Sequence, residues 1–325
     1  FSGRCVRHAL RSVRMKRTIA IATKGVSLSI RNAQLVVQLE GETLSQVPVE
    51  DIGLVTLEGS GIRITSGALN ALASSGAAVL ACDAKHLPSS LALPVVGNGL
   101  HAERIRYQFA ASQPLRKQLW KRIVVAKILN QRQLLKGKPG HRRLHTLAQQ
   151  VCSGDVSNVE AQAARSYWAE LFTTHDPTLQ FRRDRHGAFP NAVLNYGYAV
   201  LRAASARALV GAGLHPGHGI HHHNRYSGFP LADDLMEPFR PWVDAVACKI
   251  IARGCTRLGR DERAFALEVL THDVGTAQGT RPLWASLDHT AATLAEALRA
   301  SVAEQLRAVD AAGLLALPQW PTHGA

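Results

Sequence analysis

The sequence predicts an α+β protein: a small N-terminal β-rich, β-sandwich-like domain followed by a larger all-α domain. Three observations carry this. Short β-rich runs with period-two alternation fill the stretch from Arg17 to about Glu58. Beyond His101, apolar residues recur at helical spacing. Glycine and proline fall between those helical blocks, as in Gly137-Lys138-Pro139-Gly140.

In order, Val26-Ser27-Leu28-Ser29-Ile30 alternates strictly and predicts a strand. Leu35 to Leu39 and Ile52 to Leu57 follow as two more, separated by turns that contain Gly, Asn and Pro. Ser66 to Ser75 reads as one short helix, and Ala78-Val79-Leu80-Ala81-Cys82 as a buried strand. Helical spacing then covers Arg104 to Lys136, Val159 to Phe172, Asn191 to Gly211, Leu231 to Arg253 and Arg281 to Ala312. The expected division is residues 15–97 for the β-rich domain, 98–312 for the helical domain and 313–325 for a tail. Residues 1–14, with four arginines and no acid, are expected to be a non-native or upstream leader, with Met15 the natural start.

The 325 residues carry 38 Lys and Arg against 24 Asp and Glu, a formal net charge of +14. That imbalance favours a polyanionic partner. No apolar run reaches the roughly 18 uncharged residues that span a bilayer, so nucleic acid is the better reading and a membrane the poorer one. Five scattered cysteines without CxxC spacing suit a reducing, cytoplasmic compartment.

Chemistry concentrates in Gly219 to Pro241, GIHHHNRYSGFPLADDLMEPFRP, and in Glu160 of EAQAARSYW. Glu160 opens a helix in Ser157-Asn158-Val159-Glu160, which is also the pattern of a capping box. Arg165, one turn further, is a candidate phosphate contact. The histidines at 215, 218, 221, 222 and 223 form either a solvated loop or a metal-binding run, zinc included. Asp233, Asp234 and Glu237 open the next helix, where a helix dipole favours acids. Either aspartate can share a face with Glu237, and Pro238 and Pro241 should interrupt the helix and re-aim that glutamate. Carboxylates beside one imidazole suit Mg2+ or Mn2+ better than a thiolate-rich zinc site does. Such an ion would polarise a scissile phosphate.

These segments resemble the CRISPR-associated endonuclease "Cas one", the integrase of spacer acquisition, in its type II-like form. The resemblance runs from Met15 to about residue 310. It rests on Cys82-Asp83-Ala84-Lys85-His86-Leu87-Pro88-Ser89, EAQAARSYW, Asn191-Ala192-Val193-Leu194-Asn195-Tyr196-Gly197-Tyr198 and the 219–241 segment, in that order. It implies that Glu160, His222 and Glu237 are the catalytic metal ligands, with Asp234 at the adjacent acidic position. Arg165, Asn191 and Asn195 are supporting positions. It implies double-stranded DNA as substrate, both captured fragments and the CRISPR repeat. The 3′-hydroxyl of a fragment would be joined to the repeat array by metal-assisted transesterification. It further implies a homodimer formed through the β domain, assembled with a smaller CRISPR-associated partner dimer, in a prokaryotic cytoplasm.

Arg182, Arg183 and Arg185 on a loop are candidate DNA contacts. So are Arg104, Arg106, Arg116, Lys117, Lys121 and Arg122 on predicted helix; together they would make affinity fall with salt. Two alternatives stand beside the integrase: a non-catalytic architectural nucleic-acid-binding protein whose acids are only caps, and a zinc metalloprotein built on the histidine run.

Overall fold

The computed structural model describes residues 16–83, 86–173, 181–277 and 279–321. The predicted leader, Met15 and Ala84-Lys85 of the first resemblance segment lie outside them.

The N-terminal part holds β1 (Arg17–Ile21), β2 (Ser27–Arg31), β3 (Gln34–Leu39), β4 (Glu42–Pro48), β5 (Ile52–Leu57), β6 (Arg63–Ile64), α1 (Ser66–Ser74), β7 (Ala78–Cys82) and β8 (Pro88–Ala92). They make two four-stranded sheets, ordered β4-β3-β2-β6 and β1-β5-β7-β8. The first is built on β2–β3 and β3–β4 hairpins, with Asn32, Ala33, Glu40 and Gly41 at positive φ in the two-residue turns that such hairpins favour. The second pairs β1, β5 and β7 in parallel, with β8 antiparallel at the edge.

One core fills the space between the sheets: Ile21, Leu28, Leu35, Val37, Ile52, Val55 and Val79, closed by Ala68 and Leu72 of α1. The opposite face of the second sheet presents Leu54, Ala78 and Leu80 to the helical core. Burial on both faces explains why β5 and β7 read as continuous apolar runs. The arrangement is sandwich-like, with one mixed sheet shared between two cores.

The rest comprises α2 (His101–Ala110), α3 (Gln113–Leu134), α4 (Pro139–Gln150), α5 (Val159–Glu170), α6 (Asn191–Gly211), α7 (Pro230–Met236), α8 (Arg240–Ala252), α9 (Arg260–Leu267), β9 (Asp273–Thr276), β10 (Gly279–Pro282), α10 (Leu283–Ala303) and α11 (Ala308–Gly313). Helix α6 is the centre, apolar almost all round, packed against α7, α8, α9, α10 and strands β7 and β8.

Three expectations need correction. The block from Arg104 to Lys136 is two helices, because Ser112 caps α3 through the Leu115 amide and Pro114 follows in its first turn. The helical part is not all-α: β9 and β10 form an antiparallel hairpin ahead of α10. The described part of the expected tail, residues 313–321, packs on the helical part. Leu315 is buried, Gln319 bridges to Gly275, and Trp320 packs on Trp242 with ring centroids 4.8 Å apart.

The sheet and the helices are also joined by charge. Glu58, just past β5, accepts a hydrogen bond from Tyr196 of α6 and one of 2.8 Å from Arg263 of α9. Both charged groups are buried, so removing one leaves the other uncompensated. Arg263→Met should lower the unfolding free energy by about 3–5 kcal/mol, and pairing it with Glu58→Gln should recover part of that, measured by denaturant titration.

Candidate active site

The predicted residues converge where α3, α5, the loop before α7 and the turn after it meet. Glu160 lies in the first turn of α5, but no capping box forms. The carboxylate of Asp155 takes the Val159 amide at 2.9 Å and the Glu160 amide at 3.0 Å, so it caps the helix instead. Glu160 is thereby free to turn its carboxylate away from its own backbone. Its Oε1 lies 2.5 Å from Nζ of Lys127, which projects from α3.

Glu237 arrives from the other side. As Pro238 and Pro241 foretell, α7 ends at Met236 and a short 3-10 turn, Glu237–Phe239, separates it from α8. Glu237 is buried, with Oε2 2.6 Å from the same Lys127 Nζ and Oε1 2.9 Å from Arg240 Nη2. Burial pushes the Glu237 carboxyl up, but Arg240 and Lys127 outweigh it and hold it below the ordinary range. Burial likewise pulls Lys127 down, while Glu237 and Glu160 outweigh it and keep the amine charged.

His222 is oriented by Asp234. The Asp234 carboxylate is fully buried and takes the amides of Ile220, His221 and His222 at 2.6, 3.0 and 3.1 Å. It also holds His222 Nδ1 at 2.7 Å, which leaves Nε2 on the opposite edge of the ring. The hydrogen bond to Asp234 raises the His222 pKa against the opposing effect of burial. Gly219 is required by this loop: a Cβ there would stand 2.2 Å from the His222 carbonyl oxygen and 3.0 Å from Asp234 Oδ2. Asp233 points elsewhere, to Arg202 at 2.6 Å and the Ser227 hydroxyl at 2.8 Å.

The histidine run does not act as a unit. His221 stacks on the buried Trp120 at 4.1 Å, and His222 meets the same indole edge-on at 5.4 Å. His218 stacks on Phe109 and bonds Arg116, while His223 Nδ1 turns to the His221 carbonyl. Among the described residues no three His, Cys, Asp or Glu side chains, Glu160, His222 and Glu237 included, are arranged to hold one ion. Glu160 and Glu237 meet through the Lys127 ammonium.

The supporting positions divide. Asn191 accepts from Arg183 and the Asp184 amide at 3.1 and 2.9 Å and donates to the Arg182 carbonyl; Asn195 accepts from Arg183 at 2.7 Å and donates to the Arg185 carbonyl. They clamp the 181–190 loop onto α6. Arg183 is part of that clamp and lies over the Tyr198 ring. Arg182 and Arg185 remain exposed. Arg165 is exposed too, about 140° round α5 from Glu160 at roughly 100° per residue. Of the helical bases, Arg104 and Arg122 bond backbone carbonyls and Arg116 bonds His218, whereas Arg106 and Lys117 are exposed.

Sequence reasoning missed Lys127, Asp155 and the role of Trp120. A lysine within the buried stripe Trp120-Ile123-Val124-Lys127-Ile128 was a signal that could have been found. It also missed Asp244 of α8, which takes the hydroxyls of Tyr167 (2.7 Å) and Tyr198 behind the site; Arg240 lies over the Tyr198 ring at 4.8 Å.

A mixed α+β fold with two buried-side carboxylates and an oriented imidazole is the framework of a nuclease-class enzyme. The sequence model of the CRISPR associated protein Cas1 matches residues 19–264, and the chain belongs to that family. It is 41% identical to the CRISPR-associated endonuclease Cas1 of Neisseria meningitidis serogroup C over 71% of this chain and 74% of that protein. A second relative, CRISPR-associated endonuclease Cas1 2 of Pyrobaculum aerophilum, is 31% identical over 86% and 98% of the two chains. The fold is shared with a casposase bound to integration product, with a TM-score of 0.74 and 20% identity, covering 91% of this chain and 93% of that one. It is also shared with a Cas6-RT-Cas1–Cas2 complex, with a TM-score of 0.72 and 20% identity, covering 96% of this chain and 37% of that one.

Burial raises the Asp244 carboxyl to about 6, against hydrogen bonds from Tyr198 and Tyr167 that pull it down. A folded-state value above the ordinary one favours folding at low pH and loses that contribution as pH rises through about 6. Relative to Asp244→Asn, the native protein should therefore lose about 3 kcal/mol of stability between roughly pH 4 and pH 6, and little more above it, followed by denaturation at each pH.

Proposed function

We propose that this chain is a metal-dependent DNA endonuclease and integrase of CRISPR adaptation, acting in a prokaryotic cytoplasm. It joins the 3′-OH ends of captured DNA fragments into the repeat array. The observation that carries this reading is the convergence of Glu160 and Glu237, from separate elements, on one cationic position beside an imidazole whose free edge is set by Asp234.

Glu160, Glu237 and His222 are the residues that would hold Mg2+ or Mn2+. The fit is supported by the chemistry of the donor set, two carboxylates and one imidazole. When bound, the ion polarises the scissile phosphate and stabilises developing charge. Asp234 fixes the imidazole tautomer and ring direction, as carboxylates behind metal-binding histidines do. Asp155 keeps the Glu160 carboxylate off its own helix. Arg240 holds one oxygen of Glu237 and so fixes which oxygen faces the centre.

In the reaction the fragment's 3′-hydroxyl attacks a phosphorus of the repeat. A new P–O bond forms as the old one breaks, and the displaced 3′-oxygen leaves as a hydroxyl. The nucleophile belongs to the DNA, so no protein serine or cysteine is needed. The net charge of +14, with Arg182, Arg185 and Arg165 exposed, supports double-stranded DNA as partner. A homodimer formed through residues 15–97, and a smaller CRISPR-associated partner dimer, belong to the same reading. So do residues 98–312 as the catalytic domain and the type II-like assignment. No helix of the described residues is long and apolar enough to cross a membrane.

The test is strand joining on a branched DNA that mimics the half-integrated product. With Mn2+ the wild type should resolve the branch and rejoin the strands, and chelator should stop it. Glu160→Gln, His222→Ala and Glu237→Gln should each lose about a hundredfold or more while still binding DNA. Asp234→Asn should lose about 10–100-fold, the range for residues that orient metal ligands. Tight binding without joining under any metal would leave an architectural DNA-binding protein.

A further inference from the structure

Lys127 occupies a position that the proposed chemistry does not use. Its ammonium lies 2.5 Å from Glu160 Oε1 and 2.6 Å from Glu237 Oε2, and it touches the two acids from a third element, α3. Its side chain is only 9% exposed, so water does little to balance its charge. Arg240 takes the remaining oxygen of Glu237 at 2.9 Å. Two carboxylates and two cations therefore form a local group that is already neutral.

A divalent ion cannot join this group without replacing something. The oxygens it needs are those that Lys127 contacts, and a dication beside the ammonium on the same atoms would meet strong repulsion in a poorly solvated site. Arg240 is not the group displaced: its contact is with the other oxygen of Glu237, and it lies over the Tyr198 ring. A lysine suits exchange because its ammonium is a compact point charge on a flexible four-carbon stem, with no fixed fork to break.

We propose that Lys127 is the resident counter-ion of the Glu160–Glu237 pair, filling the divalent-ion position in the metal-free protein, so that metal binds by exchange with its ammonium. This rests on the metal-site reading above. Lys127 is then a positioning residue. It keeps two like charges at one point while no metal is bound, and it sets how tightly metal is taken up.

The experiment is Mn2+ titration of the DNA-free protein by calorimetry, with melting temperatures in chelator and in Mn2+. Lys127→Met should bind Mn2+ about tenfold more tightly than wild type, melt lower in chelator, and recover more on adding Mn2+ than wild type gains. Should the Met variant fail to fold, Lys127→Gln keeps a hydrogen-bond donor without the charge, and the same direction is expected. Mn2+ affinity unchanged or weakened in both variants, while wild-type binding still depends on Glu160, would overturn the exchange and leave the metal site standing. Mn2+ binding that Glu160→Gln does not alter would overturn the metal site itself, and the exchange with it.

Discussion

Two carboxylates brought to one point repel each other, and the architecture around the site follows from that. At about 4 Å and an effective dielectric of about 20, like unit charges cost about 4 kcal/mol, a large part of a domain's net stability. Glu160 and Glu237 are carried by different elements, 77 positions apart in the chain, so no local geometry holds them together. A cation between them is the condition for the arrangement, and Lys127 supplies one. Helix α3 must therefore run through the centre of the helical part, and α5 and the α7–α8 turn must pack on the same side of it.

The aspartates hold backbone amides, the His222 ring and tyrosine hydroxyls, while the two glutamates turn to the Lys127 and Arg240 cations. Asp155 takes the α5 amides that Glu160 would otherwise cap, Asp234 takes three loop amides and one edge of His222, and Asp244 takes two tyrosine hydroxyls behind Arg240. Each is buried and fully engaged, as a buried carboxylate must be to offset its desolvation. The shorter side chain reaches nearby backbone amides with little freedom to lose. The longer glutamates extend past their own helix termini to a shared centre. The same division explains why the acid-rich motif DDLME does not supply three ligands.

Legibility in the sequence tracked the range of the interaction. Helix α6 was read at its observed bounds because its period is local and long. The break at Glu237 was read from Pro238 and Pro241, since proline acts on its own backbone. The β9–β10 hairpin was missed because its strands are four residues each and too short to show alternation. Lys127 was missed for a different reason: its partners are 33 and 110 positions away, and nothing in its neighbourhood marks them. The Ser157–Glu160 pattern misled because a capping box is defined by local spacing, while the actual cap comes from Asp155 on the preceding turn. The four family segments located the acids and the imidazole, and they are silent on what keeps them apart.

The balance of charge acts at two distances. A surface with a net charge of +14 attracts a polyanion from solution, and that attraction is screened within about 10 Å at ordinary salt. Arg182 and Arg185 lie on that exposed surface. At the centre, Lys127 and Arg240 offset the charges of Glu160 and Glu237. Were a dication to take the place of the Lys127 ammonium, one positive charge would be added there, which a phosphodiester could neutralise.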